Sequence, residues 1–157
     1  MSSIWRHILI IHLLCFYWLC SQAETSLLQP IKLDNPRDTM SSFMSAMQDY
    51  KKGIETNEKS LRHRIDDAVR CLNLKEVPFI LRNEKGQEAA IYLKEVIDRV
   101  ILIDYEKIPN SESQKRWRLK DTEITILQEQ EGDNAGEFLF SPQTVYHAKD
   151  YYEKVKH

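Results

Sequence analysis

Apolar positions recur at helical spacing through the first half of this chain and at alternate positions in part of the second half, a pattern that predicts helices first and strands later. Met40, Phe43, Met44, Met47 and Tyr50 stand three or four apart. Asn35 is placed to cap this first helix, Pro36 suits its first turn because proline lacks a donor that would be unpaired there, and Asp38 sits three after the cap. Lys51, Lys52 and Gly53 predict its end, with the glycine as a left-handed cap. The three methionines fit an adaptable binding groove or, more simply, the core face of an amphipathic helix. Residues 54–60 are polar and predict a loop, with Ser60 capping a second helix. Leu61, Ile65, Ala68, Val69 and Leu72 form its inward face, and Arg62, His63, Arg64, Asp66 and Asp67 turn outward. Residues 73–78 end it, because the residue before Pro78 avoids helical geometry. A third, most apolar helix is predicted over residues 88–104, with Ala89, Leu93, Val96, Ile97, Val100 and Ile101 inward. Its β-branched end, residues 100–104, also fits a buried strand.

Residues 108–114 are polar and turn-rich and divide the two halves. Beyond them Trp117 and Leu119 alternate with Arg116, Arg118 and Lys120, and Ile124 and Ile126 alternate with Glu123, Thr125 and Leu127, which predicts strands. Residues 131–136, ending in Gly136, form a hairpin loop, and Phe138 and Phe140 point to one face. A lone hairpin is marginal in water, so this face is expected to lie on the helices. Ser141 caps a closing helix with Pro142 in its first turn and Val145, Ala148, Tyr152 and Val155 inward. The expected fold is α+β, about four helices on a small antiparallel sheet made of a hairpin and one short strand. Neither half has a convincing core of its own, so residues 35–157 are read as one domain, preceded by an extended segment, residues 24–34.

The N-terminus changes the picture by assigning a compartment. Arg6 and His7 precede an apolar run, residues 8–20, broken only by His12, and Ser21-Gln22-Ala23 offers small residues at cleavage spacing. This is the build of a secretory signal peptide, residues 1–23, and the run is shorter than the roughly 20 residues that span a bilayer. Cleavage after Ala23 is therefore expected over a retained anchor. Lipid attachment at Cys20 is disfavoured by Leu19 and Tyr17 at the places that want a small and an aliphatic residue. From 157 residues with 22 basic and 24 acidic side chains, removal of residues 1–23 leaves 134 residues and, with Arg6 gone, a formal charge of −3. Cys15 and Cys20 leave as well, so Cys71 alone remains and no internal disulfide is available. Its apolar setting predicts a buried structural thiol.

Catalytic equipment is sparse. Past the leader the histidines are His63, His147 and His157, none at helical metal-ligand spacing from a second ligand. His147 and Asp150 are expected to form a surface pair. Asp66 and Asp67 are adjacent and point apart on a helix. Four glycines make no phosphate cradle and no serine sits in a nucleophile elbow. No enzyme and no cofactor or metal are expected. Lys115-Arg116-Trp117-Arg118 mixes cations with an aromatic; in an acidic, exported chain this favours a strand edge with snorkelling side chains over a nucleic-acid contact, and admits weak contact with anionic lipid.

Asn35-Pro36-Arg37-Asp38-Thr39, the helix end running through residues 103–109, and the stretch from Thr122-Glu123-Ile124 through Gly136-Glu137-Phe138-Leu139-Phe140-Ser141 resemble, in order and spacing, the extracytoplasmic N-terminal domain of bacterial small-conductance mechanosensitive channels. The resemblance covers roughly residues 34–156. It marks Asn35, Pro36, Thr39, Trp117, Gly136, Phe138, Phe140 and Ser141 as motif positions, each with a structural account as cap, core or turn. It implies a periplasmic, non-catalytic module beside the inner membrane, acting in interaction or assembly. The implied partner is a membrane channel protein or a membrane region of its own, and since no pore segment follows within this sequence, conduction by this polypeptide alone is not expected. The competing expectation is a free-standing periplasmic domain enclosing a small apolar ligand, which requires a cavity of about 300 Å³ or more.

Overall fold

The computed structural model describes residues 30–157, so the expected signal peptide and most of the extended segment lie outside the described residues. Helix α1, Pro36–Glu55, starts where the cap residues place it: the Asn35 side chain accepts from the Asp38 backbone N–H at 2.9 Å, and Pro36 opens the first turn. Its stripe of Met40, Phe43, Ala46 and Met47 is buried, with Met44 at the margin. Gly53 is no C-cap. The helix runs two residues past it to a Thr56 cap, and the left-handed residue is Asn57, with φ 57°. What requires glycine at 53 is proximity: an added Cβ would lie 2.6 Å from the Arg62 nitrogen and 2.8 Å from the Leu61 carbonyl carbon.

That close approach is made by α2, Lys59–Arg62, which with α3, Arg64–Arg70, replaces the predicted second helix. The helix therefore begins inside the predicted loop, Glu58 rather than Ser60 occupies the cap, and His63 interrupts it. Arg64 is a further correction: it is 5% exposed rather than outward, its Nε donating to Asp49 Oδ2 of α1 at 3.1 Å and its guanidinium also reaching Asp67. Standing three after Leu61, it shares the inward face, and carboxylates make burial tolerable for its charge.

A short 3₁₀ turn, Phe79–Leu81, leads into α4, Arg82–Val100. Helix α4 begins six residues before the predicted start and ends four before the predicted end. Ile101 is extended (φ −151°, ψ 139°), Ile101 and Ile103 rest partly on the core, and Leu102 is 96% exposed. The β-branched run thus leaves the helix without joining the sheet, and Val100 is partly exposed rather than inward.

Strands β1, Arg116–Arg118, β2, Thr125–Gln128, and β3, Phe138–Phe140, form an antiparallel sheet in that order, with Trp117 opposite Ile126 and Leu127 opposite Leu139. The sheet lies against the helices as expected for an α+β fold. Phe138 and Phe140 share a face, but Leu139 on the other is buried too. The outer edge of β3 is closed by two other segments: Phe138 N–H donates to the Leu33 carbonyl, Phe140 N–H to the Cys71 carbonyl, and Asn73 N–H to the Phe140 carbonyl, at 2.8, 2.9 and 3.0 Å. These bonds occupy a row that would otherwise invite pairing with another chain.

The closing helix is two pieces, α5, Pro142–Tyr146, and α6, Ala148–Val155, meeting at His147. Ser141 accepts from the Thr144 N–H at 3.1 Å, and α6 packs along α4 with Tyr92 and Tyr152 rings 5.2 Å apart. One interior unites the halves: Phe43 and Phe140 meet edge to face at 4.9 Å among buried Met40, Leu93, Ile97, Ile124 and Ile126.

Candidate interaction surfaces

Six of the eight motif positions, Asn35, Pro36, Thr39, Phe138, Phe140 and Ser141, lie at or beside one joint. Thr39 is fully buried and its hydroxyl lies 2.6 Å from the Phe138 carbonyl and 3.1 Å from that of Asn35. Two residues earlier the Arg37 N–H donates to the Pro109 carbonyl at 3.0 Å and its Nε to the Ile108 carbonyl at 2.9 Å. The first turn of α1 thereby clamps the segment after α4 and the last strand, which joins three sequence-distant motif stretches. Ser141, beside them, shares with Thr144 and Thr125 a buried hydroxyl network spanning 2.9–3.3 Å. Trp117 and Gly136 stand apart from the joint. Trp117 is half-buried on β1, and Gly136, with φ 93°, turns the exposed hairpin.

Titratable groups near this joint are held in structural pairs. Arg70 grips Glu137 with two nitrogens at 2.6 and 2.8 Å, and this charge-assisted pairing raises its pKa above the usual guanidinium value. Burial, followed by the nearby Asp67 charge, pushes the Cys71 thiol up to about 12, so it is an inert core group at neutral pH. His147 and Asp150 meet at 2.9 Å on an exposed surface. Asp66 and Asp67 diverge, Asp66 towards His63 and Gln87, Asp67 towards Arg64. The basic cluster around Trp117 lies on an edge strand, with Arg118 3.4 Å from Glu123. Among the described residues no group of three or more His, Cys, Asp or Glu is arranged to hold a metal ion, and no helix is long and apolar enough to cross a membrane.

Three surface features were not read from the sequence. At the tip before α4, Phe79 and Ile80 are 86% and 89% exposed, with the Arg82 guanidinium 5.7 Å from the Phe79 ring. Their only sequence signal is an apolar run after Pro78, which by itself fits a buried segment equally well. The second is an open groove of about 870 Å³ between residues 69–75, Arg82 and the β2–β3 hairpin. A further open, mostly polar groove of about 900 Å³ runs between α1 and α4.

Comparison with protein-family models, with curated proteins and with solved structures finds no match to this chain.

Proposed function

We propose that this chain is an exported, non-catalytic module that works by interaction or assembly beside a membrane, as its resemblance to the N-terminal domain of mechanosensitive channels implies. The observation that carries the reading is the exposed tip: Phe79 and Ile80 present adjacent large apolar side chains to solvent while both halves of the chain fill one shared interior. Exposed apolar surface of this kind marks a contact for another molecule. The concavities described above open to solvent, whereas ligand enclosure needs a pocket that buries most of its guest. That contrast favours interaction over the alternative of a small-ligand receptor.

On this reading the closing helix is the link towards a pore, and the partner is a channel protein or a membrane region joined to this domain. Fractionation of cells carrying the protein with and without a channel partner provides the test. Recovery with membranes only when the partner is present is expected. A wholly soluble protein despite the partner overturns the proposal.

A further inference from the structure

We propose that the outer edge of β1 is a docking site for an extended acidic segment of a partner protein, which joins the sheet as a fourth strand. The two edges of the sheet differ. That of β3 is closed by the bonds to Leu33, Cys71 and Asn73, whereas β1 is paired on one side only. The ladder fixes which of its groups face outward. Leu119 N–H donates to the Ile124 carbonyl and Gln128 N–H to the Lys115 carbonyl, both at 2.9 Å and both between directly opposed residues. Bonded and unbonded positions alternate in an antiparallel pair, so Trp117 turns its N–H and carbonyl towards Ile126, while Arg116 and Arg118 turn theirs away from β2. Thr125, opposite Arg118, obeys the same alternation: its N–H goes to Thr144 Oγ1 and its carbonyl receives the Ser141 N–H. Among the described residues the Arg116 and Arg118 N–H groups and the Arg118 carbonyl have no partner, and the Arg116 carbonyl meets only the exposed Gln114 side-chain amide, at 3.1 Å. Both arginines are exposed. Such a row of open donors and acceptors is a template for another strand.

The side chains select the occupant. Arg116 and Arg118 stand on one face of the sheet and Trp117 on the other, where it continues the row of Phe140 and Ile126 and packs partly on the core. A second copy of β1 is refused, because pairing would set arginine against arginine. An acidic strand is favoured. The hollow beside Arg116 adds Lys154 and holds a single carboxylate, Glu123, which Arg118 already faces at 3.4 Å in an exposed pair. Arg116 and its neighbour Lys115 make no ion pair among the described residues. A lipid surface could use these charges but not the open backbone row, which only another strand satisfies. The fit is therefore an acidic–apolar–acidic run, its acidic residues opposite Arg116 and Arg118 and its apolar residue opposite Trp117. This rests on the reading of the chain as an interaction module and names a surface separate from the exposed tip. It is tested without a channel partner, so its failure leaves the fractionation result standing.

The experiment follows backbone amides by NMR in the isotope-labelled full chain. The probe is the capped peptide Thr-Glu-Val-Glu-Thr, whose sequence reads alike in both directions and so serves a parallel or an antiparallel strand, with capped Thr-Lys-Val-Lys-Thr as the charge control. The acidic peptide is expected to bind with a Kd of about 1 mM and the control about tenfold more weakly. At a peptide concentration about five times Kd, hydrogen exchange of the Arg116 and Arg118 amides is expected to slow about sixfold. The Trp117 amide, already bonded within the sheet, is expected to change less. Arg116→Glu, at an exposed site, is expected to leave the core resonances in place and to abolish the preference for the acidic peptide. Equal binding of the two peptides overturns the proposal. So does a shift of the arginine side chains without slowed exchange of their amides, which is ion pairing alone. Slowing that grows with protein concentration in the absence of peptide is self-pairing, and a response to vesicles of anionic phospholipid but not to the peptide is a lipid contact; either result overturns it as well.

Discussion

At Gly53 backbone crowding overrules helix propensity. Replacing glycine by alanine inside an exposed helix gains about 1 kcal/mol. Here the new methyl would press on the backbone of Leu61 and Arg62 at 2.6–2.8 Å, and overpacking of a rigid neighbour costs about 1–3 kcal/mol. Gly53→Ala is therefore expected to lower the urea midpoint, a net loss of up to about 2 kcal/mol. Gly86→Ala meets the Val69 and Leu74 side chains instead of backbone and is expected to lose less, in the same measurement. Cys71 gives the pH prediction. Its folded pKa of about 12 stands above the ordinary value of 9.0, so the unfolded chain releases the proton first as pH rises. The contribution of the neutral thiol is complete below about pH 9 and is lost as pH rises towards about 12. Denaturant unfolding across this window is expected to show stability falling with pH, with a shallower fall in Cys71→Ala. A thiol reagent at neutral pH is expected to label Cys71 in the native protein only at the rate of unfolding.

Among elements, the clearest coupling is between the first turn of α1, the sheet and α5. Thr144 Oγ1 accepts the buried Thr125 N–H at 2.9 Å while its own N–H is capped by Ser141. Thr144→Val keeps the volume and strands the Thr125 donor, so a loss of about 1–3 kcal/mol is expected, read as a lower midpoint with an unchanged denaturant slope. Ser141→Ala removes the cap of α5 and is expected to cost about 1 kcal/mol. The caps at Asn35 and Ser141 were legible because capping is local chemistry acting over three residues. The ends of α4 were not. Its first turns pass close to Val69 and Leu74 at Gly86, and past its end the extended Ile101, with Ile103, rests on core surface, both contacts with distant neighbours.

For the whole molecule, the shared interior predicts one cooperative transition. Far-ultraviolet circular dichroism, which follows the helices, and the fluorescence of Trp117 with Trp5 and Trp18 replaced by phenylalanine, which follows the sheet, are expected to give the same midpoint. Separate midpoints would show that the halves fold independently. The exposed tip predicts a separation of stability from association. Phe79→Ser with Ile80→Ser removes surface that is already in water, so the unfolding free energy from urea titration is expected to change by no more than about 0.5 kcal/mol. Association with membranes in the presence of the partner is expected to fall in the same variant.

What the sequence by itself determined was what depends on neighbours along the chain. Periodicity identified the buried face of α1, capping side chains set the starts of α1 and α5, and alternation with glycine turns marked the sheet. Tertiary structure decided what depends on neighbours across space. Arg64 turned inward because Asp49 on another helix received it, Gly53 served a crossing rather than a cap, and the motif stretches met at Thr39 and Arg37. The open edge of β1 and the exposed Phe79–Ile80 tip belong to the same class. Residue type states what a side chain needs, but only the folded chain decides whether that need is met.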